Sequence, residues 1–117
     1  KEELSAIKNL IVTHQASAYK SLGIVCKTES QACEMAEKLQ IPDIHFLSNQ
    51  SSAFVQGIVI TSAHMAKGLE FDEVIIPQVD DKNYHSEIDR SMLYVAVTRA
   101  MHRLTLTYSG TKHTPFI

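Results

Sequence analysis

Short, strongly apolar segments alternate with helix-forming ones along this chain, and that alternation restricts the available folds more than any other feature. "GIVITS" (57–62) is dense in β-branched residues, whose stiff side chains suit a pleated strand, and "DEVIIPQV" (72–79) repeats the pattern. "SLGIVCKT" holds a shorter apolar strand at 22–27, "IHFL" (44–47) reads as another, and "RLTLTYS" (103–109) alternates with period two. Helical segments lie between them. Leu4, Ile7 and Ile11 share one face of a helix near 2–17, and "ESQACEMAEKLQ" is rich in good helix formers until Pro42 stops it. "SEIDRSMLYVAVTRAMH" (86–102) reads as a third helix, opened by Ser86 and Asp89 as a capping box in which each side chain satisfies a free backbone N–H. "SNQSSA" is a polar loop. Strands alternating with helices predict a mostly parallel sheet covered on both faces, an α/β domain filling residues 1–117.

Composition narrows the function classes. Apolar residues make up 44% and charged residues 21% of 117, with four glycines and three prolines, which is globular and neither disordered nor repetitive. No apolar run is long enough to span a membrane. A net charge of −2 argues against binding nucleic acid by bulk electrostatics, though not against a few local phosphate contacts. Cys26 and Cys33 fit reduced thiols of a cytoplasmic protein, and the six histidines (14, 45, 64, 85, 102, 113) have no metal-site spacing. The first residue is Lys1, which fits a piece of a longer protein.

The stretch "SAHMAKGLEFDEVIIP" (62–77) sets a glycine, a lysine and a glutamate between two strands. It is not a Walker A loop, because Lys67-Gly68-Leu69 lacks both the upstream glycine and the Ser/Thr that reaches magnesium. No G-x-G-x-x-G or G-x-S-x-G occurs. The acidic run at 79–89 fails as an EF-hand, with Ser86 where glycine is required and Met92 where glutamate is required. Arg99 stands out more. Ile88, Met92 and Val95 fall at i, i+4 and i+7, and Arg99 at i+11 ends that apolar stripe. Two readings stay open: an arginine snorkelling at a helix C-terminus, or one aimed at an anion across an interface. Taken singly, Glu70 reads as a solvated acid and His64 as a surface or core histidine.

Together these residues carry a resemblance. "SAHMAKGLEFDEVIIP" resembles the fifth motif of UvrD/Rep-type superfamily 1 DNA helicases, Thr-x-His-x-x-Lys-Gly-Leu-Glu-Phe, and "DRSMLYVAVTRAMHRLTL" resembles the sixth, Leu-Tyr-Val-Ala-x-Thr-Arg-Ala. The resemblance covers roughly residues 20–110. It implies a RecA-like three-layer domain of the P-loop NTPase superfamily that lacks the Walker A half: the C-terminal, second motor domain of an ATP-dependent helicase or translocase. ATP and Mg2+ would then be bound mainly by an N-terminal RecA-like domain of the same parent chain.

By this resemblance Arg99 is the arginine finger on the γ-phosphate, and Glu70, Lys67 and Gly68 belong to the ATP side, with Lys67 and Gly68 shaping the turn. Ser62 and His64 face single-stranded DNA. A finger supplied by a second domain makes hydrolysis depend on closure, and such fingers contribute about 10³ to 10⁵ in rate. Two positions depart from the pattern: Ser62 stands for threonine, and Ser91 for the second of two arginines. Between Gln40 and Gly57 there is no room for the extra domain of the larger helicases, which would need at least ~50 residues. That short form resembles the helicase IV/HelD-like branch, some members of which act on RNA polymerase. A degenerate, non-catalytic RecA-like binding module is a third reading. On the first two, the isolated 117 residues neither hydrolyse ATP nor unwind DNA.

Overall fold

The computed structural model describes residues 2–17, 21–39, 44–46, 57–66, 70–80, 83–84 and 86–108. Its elements follow the order α1 (Glu2–Gln15), β1 (Ser21–Cys26), α2 (Glu29–Leu39), β2 (Ile44–Phe46), β3 (Gly57–Ser62), α3 (Ala63–Ala66), β4 (Phe71–Ile76), α4 (Glu87–Val97) and β5 (Ala100–Leu106). The five strands form one sheet in the order β2-β3-β1-β4-β5, and every pairing is parallel. The polar loop expected at 48–53 lies outside the described residues.

The apolar runs are continuous because both faces of the sheet are covered. Leu22, Ile24, Cys26, Ile58, Ile60 and Ile75 point to one side, where they meet Ile7 and Ile11 of α1 and Ala32, Met35 and Leu39 of α2. Val25, Val59, Val74 and Ile76 point to the other, against Ala63 and Ala66 of α3 and Leu93 and Ala96 of α4. This is the expected three-layer architecture. Phe71 belongs to the second side although Glu73 and Ile75, of the same parity, face the first. The register of β4 against β5 shifts between Phe71 and Glu73, where β5 runs three residues, Ala100 to Arg103, against two of β4, and the ladder is disrupted there. The Phe71 ring then lies over β1, and a Cβ on Gly23 would come within 2.5 Å of it. Glycine is required at 23 for that close approach.

α1 is fixed to β4 at both ends by polar contacts. His14 Nδ1 lies 3.0 Å from Glu73 Oε1, with both side chains buried. At the other end the Glu3 carboxylate accepts from the Gln78 N–H and, at 2.7 Å, from the Thr107 hydroxyl. Gln78 has φ 58°, a left-handed backbone that the Glu3 contact helps to hold. Arg103 Nη1 approaches Glu73 Oε2 at 3.5 Å, so β5 joins the same network.

Two sequence expectations change. The helix expected over 86–102 stops at Val97, and β5 starts at Ala100, three residues before the expected strand. Arg99 therefore sits in the turn between them and not on the helix. The cause is tertiary: Phe71 N–H donates to Arg99 O at 2.9 Å, and the β4–β5 ladder begins at the Phe71–Ala100 pair. Second, Ile88, Met92 and Val95 are not the buried face of α4. That face is Asp89, Leu93 and Ala96, while Ile88 is 74% exposed. The Ser86–Asp89 capping box forms as read, with Asp89 N–H to Ser86 Oγ at 3.1 Å and Ser86 N–H to Asp89 Oδ2 at 3.2 Å.

Candidate functional site

Because all strands run in parallel, every strand's C-terminal end lies on one edge of the sheet and every N-terminal end on the other. Ser62 ends β3 beside Cys26 of β1, so Ser62, His64 and Lys27 gather at the carboxyl edge. Glu70 precedes β4 and Arg99 precedes β5, at the amino edge. The segment 63–70 thus carries the chain from one edge to the other. So does α4, whose eleven residues span about 16 Å at the helical rise. The four candidate residues that are described, Ser62, His64, Glu70 and Arg99, fall into two groups, one at each edge.

At the amino edge, Arg99 is tied down from both sides. Its N–H donates to Ala96 O at 3.1 Å, and its carbonyl accepts from Phe71 N–H at 2.9 Å. The second bond places Arg99 next to Glu70, the exposed residue immediately before Phe71. The Arg99 guanidinium is half-buried, and its Nη2 donates to Thr98 Oγ1 at 3.1 Å. Its Nε is buried with no hydrogen-bond partner among the described residues. A buried guanidinium donor without an acceptor is costly. An anionic oxygen fits it.

At the carboxyl edge His64 is exposed on α3, whereas Ser62 is only 4% exposed and its hydroxyl accepts from Met65 N–H at 3.3 Å. Ser62 therefore turns inward and holds the first turn of α3, and His64 is the one presented at the surface. Ala63, His64, Ile88, Ser91, Met92 and Val95 line a groove of about 390 Å³ between α3 and α4. The apolar stripe read on α4 is the wall of this groove. Lys67 and Gly68 lie outside the described residues.

Sequence reasoning missed a clamp behind the site. Lys27 Nζ ion-pairs Asp89 Oδ1 at 2.8 Å and lies 5.8 Å from the centre of the buried Tyr84 ring. This joins the end of the central strand β1 to the start of α4. The capping box was legible, but the cation sixty-two positions upstream carries no local signal. His14, Glu73 and Arg103 were likewise invisible as a group. Of the cysteines, Cys26 is buried and Cys33 exposed, both free. Among the described residues no group of three or more His, Cys, Asp or Glu could hold a metal ion. No helix among them is long and apolar enough to cross a membrane.

Comparison with known proteins agrees with this geometry. Residues 57–107, which hold both edges of the site, match the UvrD-like helicase C-terminal domain family. DNA helicase II of Escherichia coli K12 is 34% identical over 73 residues, covering 54% of this chain and 10% of that protein. The Gabija protein GajB of Bacillus cereus VD045 is 41% identical over 58 residues, covering 50% of this chain and 12% of its own length. The chain thus spans about a tenth of the length of these relatives. Among solved structures, the C-terminal domain of a possible DNA helicase from Lactobacillus plantarum WCFS1 superposes with a TM-score of 0.82 at 25% identity, over 97% of this chain and 70% of that one. The arterivirus nonstructural protein 10 helicase, solved with DNA, shares the fold alone, at a TM-score of 0.55 and 14% identity over 98% of this chain and 29% of that one.

Fold, site and matches together point to one class: the chain is similar in fold and in part of its sequence to helicase C-terminal domains. Within that class the match from Gly57 to Thr107, a little under half of the chain, is to the UvrD-like family.

Proposed function

We propose that this chain is the second motor domain of an ATP-dependent DNA helicase or translocase, and that Arg99 is its arginine finger. The observation that carries the reading is the buried, unpartnered Nε of Arg99, on an arginine whose backbone is fixed beside Glu70. Phosphoryl transfer needs positive charge on the transferring group, and a guanidinium already held in place supplies it without reorganisation. ATP with its magnesium would sit mainly on a preceding RecA-like domain of the same parent chain. Arg99 would reach the γ-phosphate and Glu70 the ribose, with Lys67 and Gly68 forming the turn that leads to Glu70.

At the opposite edge, His64 would face the backbone of single-stranded DNA, with Ser62 holding the turn that presents it. The two edges are joined through the covalent segment 63–70 and through α4. A shift of either by DNA would be felt at Arg99, which is how a motor couples a track to chemistry. On this reading the isolated 117 residues lack the Walker half and turn over no ATP.

The test is ATP hydrolysis by the full-length parent with and without single-stranded DNA. Stimulation by DNA is expected. Hydrolysis indifferent to DNA would favour the RNA-polymerase-remodelling branch. No hydrolysis under either condition would favour a degenerate binding module.

A further inference from the structure

The turn that carries Arg99 contains a second polar side chain with a fixed hydrogen-bond direction. Thr98 Oγ1 donates to Val95 O at 2.9 Å and accepts from Arg99 Nη2 at 3.1 Å. The first bond uses the hydroxyl's one proton, so only lone pairs remain to face the guanidinium. Thr98 is the C-cap of α4, with φ −80° and ψ 0°, and its own N–H is engaged by the carbonyls of Tyr94 and Ala96. Branching at Cβ further limits its rotamers, and back-bonding to a carbonyl of the preceding turn selects one. The hydroxyl is thus immobilised from three directions before it meets Arg99.

Arg99 needs such a support. Its backbone is anchored to Ala96 and Phe71, but a side chain of this length keeps several free torsions beyond Cα. Among the contacts of its guanidinium, the Thr98 hydroxyl holds Nη2, while Nε has no partner. Holding Nη2 restricts rotation of the group, while the Nε–H stays available to an incoming anionic oxygen.

We infer that Thr98 is a positioning residue: its hydroxyl orients the Arg99 guanidinium toward an anionic oxygen supplied by a partner domain. The inference rests on the reading of Arg99 as a finger. It predicts that Thr98 acts only through Arg99, which a merely structural C-cap would not do.

The experiment is a mutant cycle in the full-length parent, measuring single-turnover ATP hydrolysis and nucleotide affinity for Thr98→Val, Thr98→Ser, Arg99→Ala and the Thr98→Val/Arg99→Ala double variant. Thr98→Val keeps the shape and removes the acceptor. A lost hydrogen bond to a charged, half-exposed group is expected to slow turnover about five- to tenfold while nucleotide affinity stays within about twofold. Thr98→Ser restores the hydroxyl and is expected within about threefold of wild type. In the Arg99→Ala background Thr98→Val is expected to cost nothing more.

Two results overturn the inference while leaving the finger intact: Thr98→Val turning over like wild type when Arg99→Ala does not, or Thr98→Val slowing the Arg99→Ala enzyme by its full factor. Normal turnover by Arg99→Ala is a different outcome. It removes the finger reading itself, and the role of Thr98 with it.

Discussion

Gly23→Ala tests whether the packing of Phe71, at the start of β4, is what the site stands on. A methyl at 23 would lie 2.5, 2.7 and 2.8 Å from the Cδ2, Cε2 and Cγ of Phe71, against an ordinary contact of about 3.4–4 Å. The ring must move by nearly its own half-thickness. It cannot swing away freely, because it is 3% exposed and packed among Val25, Val74 and Ala96. Overpacking of this kind costs about 1–3 kcal/mol. Alanine offsets part of this, since glycine in a strand is disfavoured by roughly 0.5–1 kcal/mol. The net is a loss of about 0.5–2 kcal/mol, read as a lower urea midpoint with an unchanged slope. Adding Phe71→Leu should recover part of the loss, since the two residues share one space. A Gly23→Ala chain as stable as wild type, or more so, would refute the reasoning and mean that the ring is free to yield. The consequence reaches the site, because the N–H of this same Phe71 holds the Arg99 carbonyl.

Lys27→Met should lower the urea midpoint by the equivalent of about 1–3 kcal/mol, because it removes the cation beside a carboxylate that is only 9% exposed; an unchanged midpoint would mean the clamp contributes nothing. Burial, reinforced by the Glu3 charge, pushes the Cys26 thiol from 9.0 up to about 12, and burial raises Tyr84 as well, with Cys26, Asp89 and Asp80 adding to it. Both groups keep protons in the folded chain that the unfolded chain releases, so stability is full below about pH 9 and declines as pH rises from there. Urea midpoints across that range should fall for wild type and fall less for Cys26→Ala. A thiol reagent at pH 8 should label the exposed Cys33 alone in the folded chain and both cysteines in denaturant.

The layered fold was readable because its strands are apolar on both faces and the helices between them are amphipathic or well capped. α1, α2, β1 and β3 lie where the sequence pattern puts them, within a residue or two. The boundary at 97–100 was not readable. "VAVTRAMHRL" is composed of residues acceptable in a helix, and β5 is an edge strand whose Met101, His102 and Leu104 are all exposed, so period-two alternation is blurred there. What ends the helix is the ladder to β4, together with Thr107 N–H to Ile76 O and Val79 N–H to Thr107 O, and pairing partners leave no local trace.

The site divides in the same way. Motif order marked Arg99, Glu70 and His64, and the topology then set them at two edges. Nothing in the sequence could say that Ser62 points inward, that Ile88 lines a groove, or that His14 and Glu73, fifty-nine positions apart, share a buried contact. Those are consequences of register and helix rotation. A single residue of rotation exchanges the Ile88–Met92–Val95 face of α4 for the Asp89–Leu93–Ala96 face, and sequence periodicity does not distinguish two stripes that are both largely apolar.

The account turns on Arg99, and its most direct test is ATP turnover by the full-length parent, wild type against Arg99→Ala, with nucleotide binding measured alongside. The account predicts a collapse of turnover by about 10³-fold or more, with nucleotide still bound. Turnover at the wild-type rate would make Arg99 a helix-end cation without a role in hydrolysis, and would contradict the account.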